Sequence, residues 1–566
     1  MKEKFKSYFF IMIISIIVSI PLFDKNFNIY IDDGIQHVAR LIGTYQSITE
    51  GQTLPVIMSN FCNGFGYSWN LFYSPITAYI PLLFSLFTSS AILWLKLFIL
   101  LVTILSGITI YEFINTVTKN KYAGLLGAAF YIFAPYRLTD MYIRMAVAEL
   151  TSFIFLPMVF QGLYTIFDDE ESRSKSGLLL TIGAIGLILS HTVIAMYTAI
   201  MSLIYVLIHI IKLKNKKILK QLFISLLLII CVTSFFWAPM LEHKINTQYE
   251  VFKPGRMERT DVLVYYKLDL IDLIYTKQGN MIFEIGLVTI IGVILTILAY
   301  PKVGKQYKKI YIFSLIVGIF SIFMTLKWFP FEKLPAILKM LQFSFRMLEF
   351  SSFFLSFVVA INYAIVIPKF KGKDVAILFL IILCISIPYA KHLQYEEETN
   401  ENRLWAGVPV TEETGRVHAG CASFEYLPSK AFDHLEYIKT RNNGIIVTSG
   451  NALIQNEQKS GTKMSFKVLE SSENTVLELP YIYYLGYEVK VENSKESIKT
   501  YESENGFIEI HLDDIDELKN GQEAEIMVQY TGTTIMKISM IISIISFTMM
   551  IIYYGGYFKK YKCKVQ

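Results

Sequence analysis

A dozen apolar runs divide this sequence, several of them reaching the ~20 residues that a helix needs to cross a bilayer core. They lie approximately at 8–23, 71–89, 92–116, 122–137, 149–167, 177–211, 219–239, 281–299, 309–327, 347–367, 374–390 and 535–554. In lipid, the backbone polar groups of each run can be satisfied only within a helix or a closed barrel, and the runs are too long for barrel strands. Charged residues make up 17% of the 566 positions, against roughly 25% in ordinary soluble domains. The expected fold class is an α-helical polytopic membrane protein with about 12 spans. A C-terminal extracytoplasmic domain of β-sandwich type and a final transmembrane helix complete it.

The lysines orient the path. Clusters fall at Lys212/Lys214/Lys216/Lys217/Lys220, Lys302/Lys305/Lys308/Lys309, Lys369/Lys371/Lys373 and Lys559/Lys560/Lys562/Lys564. Short basic loops mark the cytoplasmic side. The net charge of +5 is therefore a topology signal and not a nucleic-acid-binding face. Met1–Phe23 begins with Lys2, Lys4 and Lys6 but lacks a small-residue cleavage site, so it reads as an uncleaved first helix. These assignments place the chain in the plasma membrane as a multi-pass protein with both termini cytoplasmic.

The run 177–211 is too long for one span, since 35 helical residues would extend ~52 Å at 1.5 Å each. A break at Ser190-His191 gives two short helices with His191 at an outer turn. Parity then requires that 71–89, which contains Pro75 and Pro81, lies as a re-entrant or interfacial segment. Residues 24–70 and 134–148 are outside in this reading. The alternative has 71–89 spanning and 177–211 as one tilted helix, which puts 134–148 inside. The domains expected are a membrane domain at 1–390 with an outer loop at 24–70, a β-rich domain at 391–534, and a last helix with a basic tail at 535–566. Alternating stretches such as Lys463–Leu469, Phe507–Leu512 and Ala524–Tyr530 support strands in the outer domain.

Of five cysteines, Cys231 and Cys384 fall in apolar runs and Cys563 in the basic tail. Cys62 and Cys421 fall outside, where they could pair or remain as two thiols. The absence of a Cys-x-x-Cys pair argues against a zinc site.

Polar residues that could do chemistry gather at one end of the runs. Asp32-Asp33-Gly34 opens the first outer loop, followed by His37 and Arg40. Paired acids there suit general-base work or, more simply, a helix cap. Arg137, Arg144 and Glu149 lie at membrane level, where charges are costly and face a cavity or one another. Arginine suits forked contacts with phosphate, and an Arg–Glu pair locking two helices fits equally well. His191 reads as a ligand contact or a hydrogen-bonded structural residue. Arg346, at the start of a helix, reads as a phosphate contact or a snorkelling interfacial cation.

These elements resemble those of bacterial multispanning proteins related to the GT-C glycosyltransferase superfamily, most of all the YfhO-like and pyruvoyl-tetrahydropterin-synthase-related membrane families. The similar elements are the first-loop acids, Pro135-Tyr136-Arg137-Leu138 with Glu149, Leu189-Ser190-His191, and Leu341-Gln342-Phe343 with Arg346. Glu425-Tyr426-Leu427-Pro428 and Tyr484-Leu485-Gly486-Tyr487 in the outer domain are similar as well. Ser344 stands where a proline is usual, and Tyr487 where a tryptophan is usual. The resemblance implies an inverting transferase that takes a sugar from a polyprenyl-phosphate donor and modifies a cell-envelope glycan, lipid or polymer on the outer face. It implies Asp32 or Asp33 as the catalytic base, with His37, Arg40, Arg137, Arg144, Glu149, His191 and Arg346 as substrate-binding candidates. No cofactor is implied, although Asp33 with Glu149 could bind a divalent metal. The rival readings are a transporter or flippase for lipid-linked glycans, and an assembly factor that binds through its β domain. The scarcity of mid-span charge favours the enzyme over the transporter.

Overall fold

A computed structural model describes residues 2–25, 27, 29, 31–168, 173–256, 258–275, 281, 283–392, 424–492 and 497–562. Among these, six helices are long and apolar enough to cross a membrane: Glu3–Phe23, Ala91–Thr118, Val147–Phe167, Lys308–Thr325, Ser344–Val366 and Thr534–Gly555. Lys216–Val232 and Ser234–Asn246, bent by 61° at their junction, make a seventh if taken as one span. The polytopic helical fold is as expected, with the other apolar runs present as shorter helices. Several apolar runs are broken into pieces shorter than a span, namely Pro75–Leu86, Ser176–Ser190, Thr192–Ile208 and Leu287–Lys302. Gly372–His392 adds a further 21-residue helix.

The breaks have local causes. Lys121–Ile132 is only 12 residues long, about 18 Å, and the next helix starts at Pro135, whose ring cannot continue a preceding turn. Pro75 and Pro81 likewise each begin a short helix, so 71–89 forms no continuous span. The run 177–211 breaks where expected. His191 is extended, with φ −152°, and its Nδ1 accepts from the backbone N–H of Ile194, capping the second helix.

Two helices form the centre. Val147–Phe167 and Ser344–Val366 have 89% and 78% of their apolar windows buried, against 17% for the last helix. Phe113, Phe160, Phe313, Phe353 and Phe354 pack edge-on and tilted between them and their neighbours. Gly162 lets Arg173–Ser190 approach backbone to backbone, since a Cβ there would stand 2.5 Å from the Leu180 nitrogen.

Among the described residues, nine strands make two antiparallel sheets. These are β1 (Ile446–Ser449), β2 (Ala452–Ser460), β3 (Lys463–Ser471), β4 (Val476–Ile482), β5 (Tyr487–Val491), β6 (Ser497–Ile498), β7 (Tyr501–Glu502), β8 (Phe507–His511) and β9 (Ala524–Tyr530). The sheet orders are β1-β4-β8-β7 and β2-β3-β9-β5-β6. Alternation is clean in β9, which keeps Ala524, Ile526 and Val528 inside. The first outer loop is bound onto this domain. Ile482 N–H donates to the Phe65 carbonyl at 3.0 Å, and Lys459 Nζ donates to the carbonyls of Gly64 and Pro480 at 2.8 and 2.9 Å. Beneath that seam the Arg441–Glu478 ion pair is fully buried, with Ser503 and Tyr437 donating to the same carboxylate. The expected Cys62–Cys421 pairing falls on Cys421, which lies outside the described residues; Cys62 is buried.

Candidate functional site

The two central helices begin at the same end of the bundle, and each carries an acid in its first turn, Glu149 and Glu349. The unpaired N–H groups of a helix start favour negative charge there. Glu149 is 1% exposed and satisfied on both oxygens. The Tyr136 hydroxyl donates to Oε1. Oε2 accepts from Arg144 Nη1 at 3.2 Å and from Arg346 Nε at 3.1 Å. Arg144 also donates to Asp140 at 2.5 Å and to the Tyr136 hydroxyl at 3.1 Å, and lies over the Phe345 ring. Arg346 Nη1 donates to the Leu341 carbonyl and to Gln342 Oε1. Arg346 is 8% exposed.

Three non-glycine residues adopt left-handed backbone here: Asp32 (φ 43°), Met145 (φ 50°) and Gln342 (φ 69°). Each such conformation costs about 1–3 kcal/mol and persists only where surroundings impose it. The first loop is fixed to the arginine turn by the Asp33 N–H, which donates to the Arg144 carbonyl at 3.1 Å. Gly34 permits that approach, because a Cβ would sit 1.8 Å from the Ile29 oxygen and 3.1 Å from Met145 Cγ.

Asp33 is half-buried and stands within electrostatic range of Asp32, Arg144, Arg346 and Glu149. Burial first and the Asp32 carboxylate second push its carboxyl up to about 6, against the pull of the two arginines. His191 faces Arg346, Glu149 and Arg144, and burial with the Arg346 charge holds its imidazole down at about 3, so it is neutral.

Asp32, Asp33, Arg144, Glu149, His191 and Arg346 thus come together. Arg40 and Arg137 do not join them. Arg40 is buried against Tyr73, with its guanidinium donating to Asn70, Thr77 and the carbonyls of Tyr73 and Ser74. It staples the Tyr73–Tyr79 segment to the Gly34–Thr49 helix. Arg137 is fully buried inside the bundle, donating to the Ile132 carbonyl and Thr103 and lying over Phe153. His37 is buried beside Tyr73, and burial and then Arg40 push its pKa down to about 3. Of the Asp33–Glu149 pair named as possible metal ligands, Glu149 accepts from two arginines. Among the described residues, no three His, Cys, Asp or Glu side chains are placed to hold a metal ion.

Tyr136, Asp140, Gln342 and Glu349 are members of this cluster that were not among the candidate site residues, although Tyr136 and Gln342 fall in the motifs named above. Tyr136 and Asp140 stand four apart on the Pro135–Tyr142 helix and so share a face, whereas Arg144 follows that helix and Gln342 lies in an irregular turn before Arg346. Glu349 is fully buried, and Ser152 Oγ donates to its Oε1.

Residues 71–393 match the family described as 6-pyruvoyl-tetrahydropterin synthase related domain; membrane protein. The chain belongs to that family. The match spans the helices from Pro75 to His392, so it contains Arg144, Glu149, His191 and Arg346, while the Asp32-Asp33 loop precedes it and the β domain and last helix follow it. This is one of the two families that the motifs resembled. An uncharacterized protein of Lactococcus lactis subsp. cremoris (strain MG1363) is 28% identical over 344 residues, 58% of this chain and 54% of that protein. The chain therefore spans about half the length of this family relative. Among solved structures, the mycobacterial arabinofuranosyltransferase AftD is similar at 12% identity and a TM-score of 0.43, over 68% of this chain and 26% of that one. The oligosaccharyltransferase AglB of Archaeoglobus fulgidus, in complex with an inhibitory peptide and a dolichol-phosphate, is similar at 12% identity and a TM-score of 0.38, over 68% and 55%.

Proposed function

We propose that this protein is an inverting membrane glycosyltransferase that moves a sugar from a polyprenyl-phosphate donor to a hydroxyl of a cell-envelope acceptor. The observation that carries this reading is that Asp33 lies within electrostatic range of Arg346 at the helix ends. A half-buried carboxyl with a pKa of about 6 shares this region with a largely buried guanidinium. A base poised near neutral pH suits proton abstraction from a hydroxyl.

The step runs as follows. Asp33 takes the proton of the acceptor hydroxyl as that oxygen bonds to the anomeric carbon from the face opposite the donor phosphate. The anomeric C–O bond to phosphate breaks with its electron pair, and polyprenyl phosphate leaves with an added negative charge. Arg346 stabilises that charge from a position already fixed by Glu149, Gln342 and the Leu341 carbonyl. Arg144 acts through Glu149 and Asp140 and holds the frame. His191, neutral, borders the same space as a hydrogen-bonding contact for substrate. The lysine clusters support placing this face and the β domain outside the cytoplasm.

A second reading has one observation in its favour. Asp140 Oδ2 and Glu349 Oε2 are buried without hydrogen-bond partners, and membrane-buried acids can serve proton-coupled transport of a lipid-linked glycan. The test is to reconstitute the full chain in liposomes with the 14C-labelled polyprenyl-phosphate sugar pool extracted from the source cells, plus their envelope polysaccharide. Label moving into polysaccharide, and stopping in Asp33→Asn, supports the transferase. Label moving between leaflets with no new glycosidic product supports the transporter.

A further inference from the structure

The mechanism leaves Tyr73 and Glu425 unused, yet Tyr73 lies within electrostatic range of the cluster and Glu425 within range of Tyr73. Tyr73 is half-buried and lies in electrostatic contact with Asp33, Arg346, Arg40 and Glu425. The Arg40 guanidinium covers its ring at 4.8 Å. Glu425 is half-buried and belongs to the soluble part of the chain, 79 residues past Arg346. Its carboxylate accepts a hydrogen bond from the Tyr426 hydroxyl.

The segment carrying Glu425 is held on both sides. Val251 N–H donates to the Glu425 carbonyl at 2.8 Å and Glu250 N–H to the Leu427 carbonyl at 3.0 Å. Ser68 Oγ donates to the Tyr426 carbonyl at 2.7 Å, and Tyr426 N–H donates to the Tyr67 hydroxyl at 3.1 Å. Phe72 stacks on the Tyr426 ring at 5.5 Å. Phe424, just before it, is left-handed with φ 57°. An acid from the outer domain is thus held in place beside the membrane-level site.

We propose that Glu425 and Tyr73 form the acceptor-binding rim of this site and recognise a hydroxyl-rich acceptor, that is, a polyol or saccharide. The inference rests on the transferase reading and adds the acceptor class to it. A carboxylate only accepts hydrogen bonds, so it selects ligands that donate them, as sugar hydroxyls do. Tyr73 adds a phenol and an aromatic edge. Charge around Tyr73 is mixed, with Asp33 and Glu425 offset by Arg40 and Arg346, so hydrogen bonding and not net charge selects the acceptor. In this arrangement the lipid phosphate takes the Arg346 side, and the acceptor hydroxyl enters from the Glu425 side toward Asp33.

The test uses the full chain in nanodiscs, as wild type, Glu425→Gln, Glu425→Asp and Tyr73→Phe. Two quantities are measured: binding of undecaprenyl phosphate, and transfer from the labelled donor pool to the polysaccharide fraction of the same envelopes at varied concentration. Glu425→Gln should raise the acceptor KM about tenfold, the loss expected for one charged hydrogen bond. Undecaprenyl phosphate affinity and melting temperature should stay within error, and Glu425→Asp should recover part of the loss. An unchanged acceptor KM in both Glu425→Gln and Tyr73→Phe, with wild type active, overturns this inference alone. Equal losses of undecaprenyl phosphate binding and acceptor KM also overturn it, since they would mark a structural role. A wild type that neither binds undecaprenyl phosphate nor transfers sugar overturns the transferase reading and the inference with it.

Discussion

Arg346 Nε and Glu149 Oε2 meet at 3.1 Å although 197 residues separate them in sequence. The contact joins the starts of the two most buried helices of the bundle. It also fixes one guanidinium within range of the first-loop acids. In the proposed reading function and helix packing share the same atoms, and variants must be chosen so that the two separate.

Asp33→Asn keeps the shape of the loop and removes proton acceptance. Turnover should fall by ~10²–10⁴-fold while undecaprenyl phosphate affinity is retained. Single-turnover kinetics with equilibrium binding on the same preparation checks both halves. Full activity in this variant would remove Asp33 from the chemistry.

The pH profile follows from the Asp33 carboxyl at about 6. The base must be ionised, so the rate should rise through about pH 6 and level off above it. The Asp32 carboxylate raises that value, so Asp32→Asn should move the acid limb to lower pH. A rate-versus-pH series on wild type and Asp32→Asn reads the direction of the shift.

The arginines should divide into distinct classes. Arg346→Ala should weaken undecaprenyl phosphate binding by about tenfold or more, as for one lost charge-assisted contact. Arg144→Ala strands Asp140 and Glu149 without their shared cation, and breaking a buried pair costs about 3–5 kcal/mol. Its clearest sign should be a lowered melting temperature. Arg40→Ala and Arg137→Ala should also destabilise, with phosphate affinity unchanged in the protein that remains folded. Thermal melts beside binding isotherms separate the classes.

Orientation can be read with single cysteines in a background lacking the native ones. Ser89 and Lys430 are exposed at the end that carries the site, and Asn215 is exposed in a lysine cluster. Ser89→Cys and Lys430→Cys should react with an impermeant maleimide on intact cells, and Asn215→Cys only after lysis. The reverse pattern would place the acids in the cytoplasm.

How much of this was legible in the sequence depends on range. The break at His191 was, because a 35-residue run exceeds the bilayer and a local cap can end a helix. The strands of the outer domain were, because alternation is local. Which runs form one unbroken helix was not, since hydropathy does not show that Lys121–Ile132 stops before Pro135 or that Ser234 starts a new helix at 61°. The arginines were the hardest. Arg137 and Arg144 stand in one short segment and look equivalent, yet one points into the bundle toward Thr103 and the other toward Glu149. Only the partners distinguish them, and the partner that matters most, Arg346, lies far along the chain. Glu349 was missed because a single acid in an apolar run carries no pattern by itself.

The left-handed turn at Gln342 has a consequence for how the protein is made. It belongs to the last membrane-level piece of the cluster to leave the ribosome, after the Asp32, Arg144 and His191 turns. Until that piece enters the bilayer, Glu149 has Arg144 but not Arg346, and Asp33 has no second cation facing it. On the proposed transferase reading, a chain still short of Arg346 would lack the cation for the departing phosphate, so the site would be complete only after most of the membrane helices have been made.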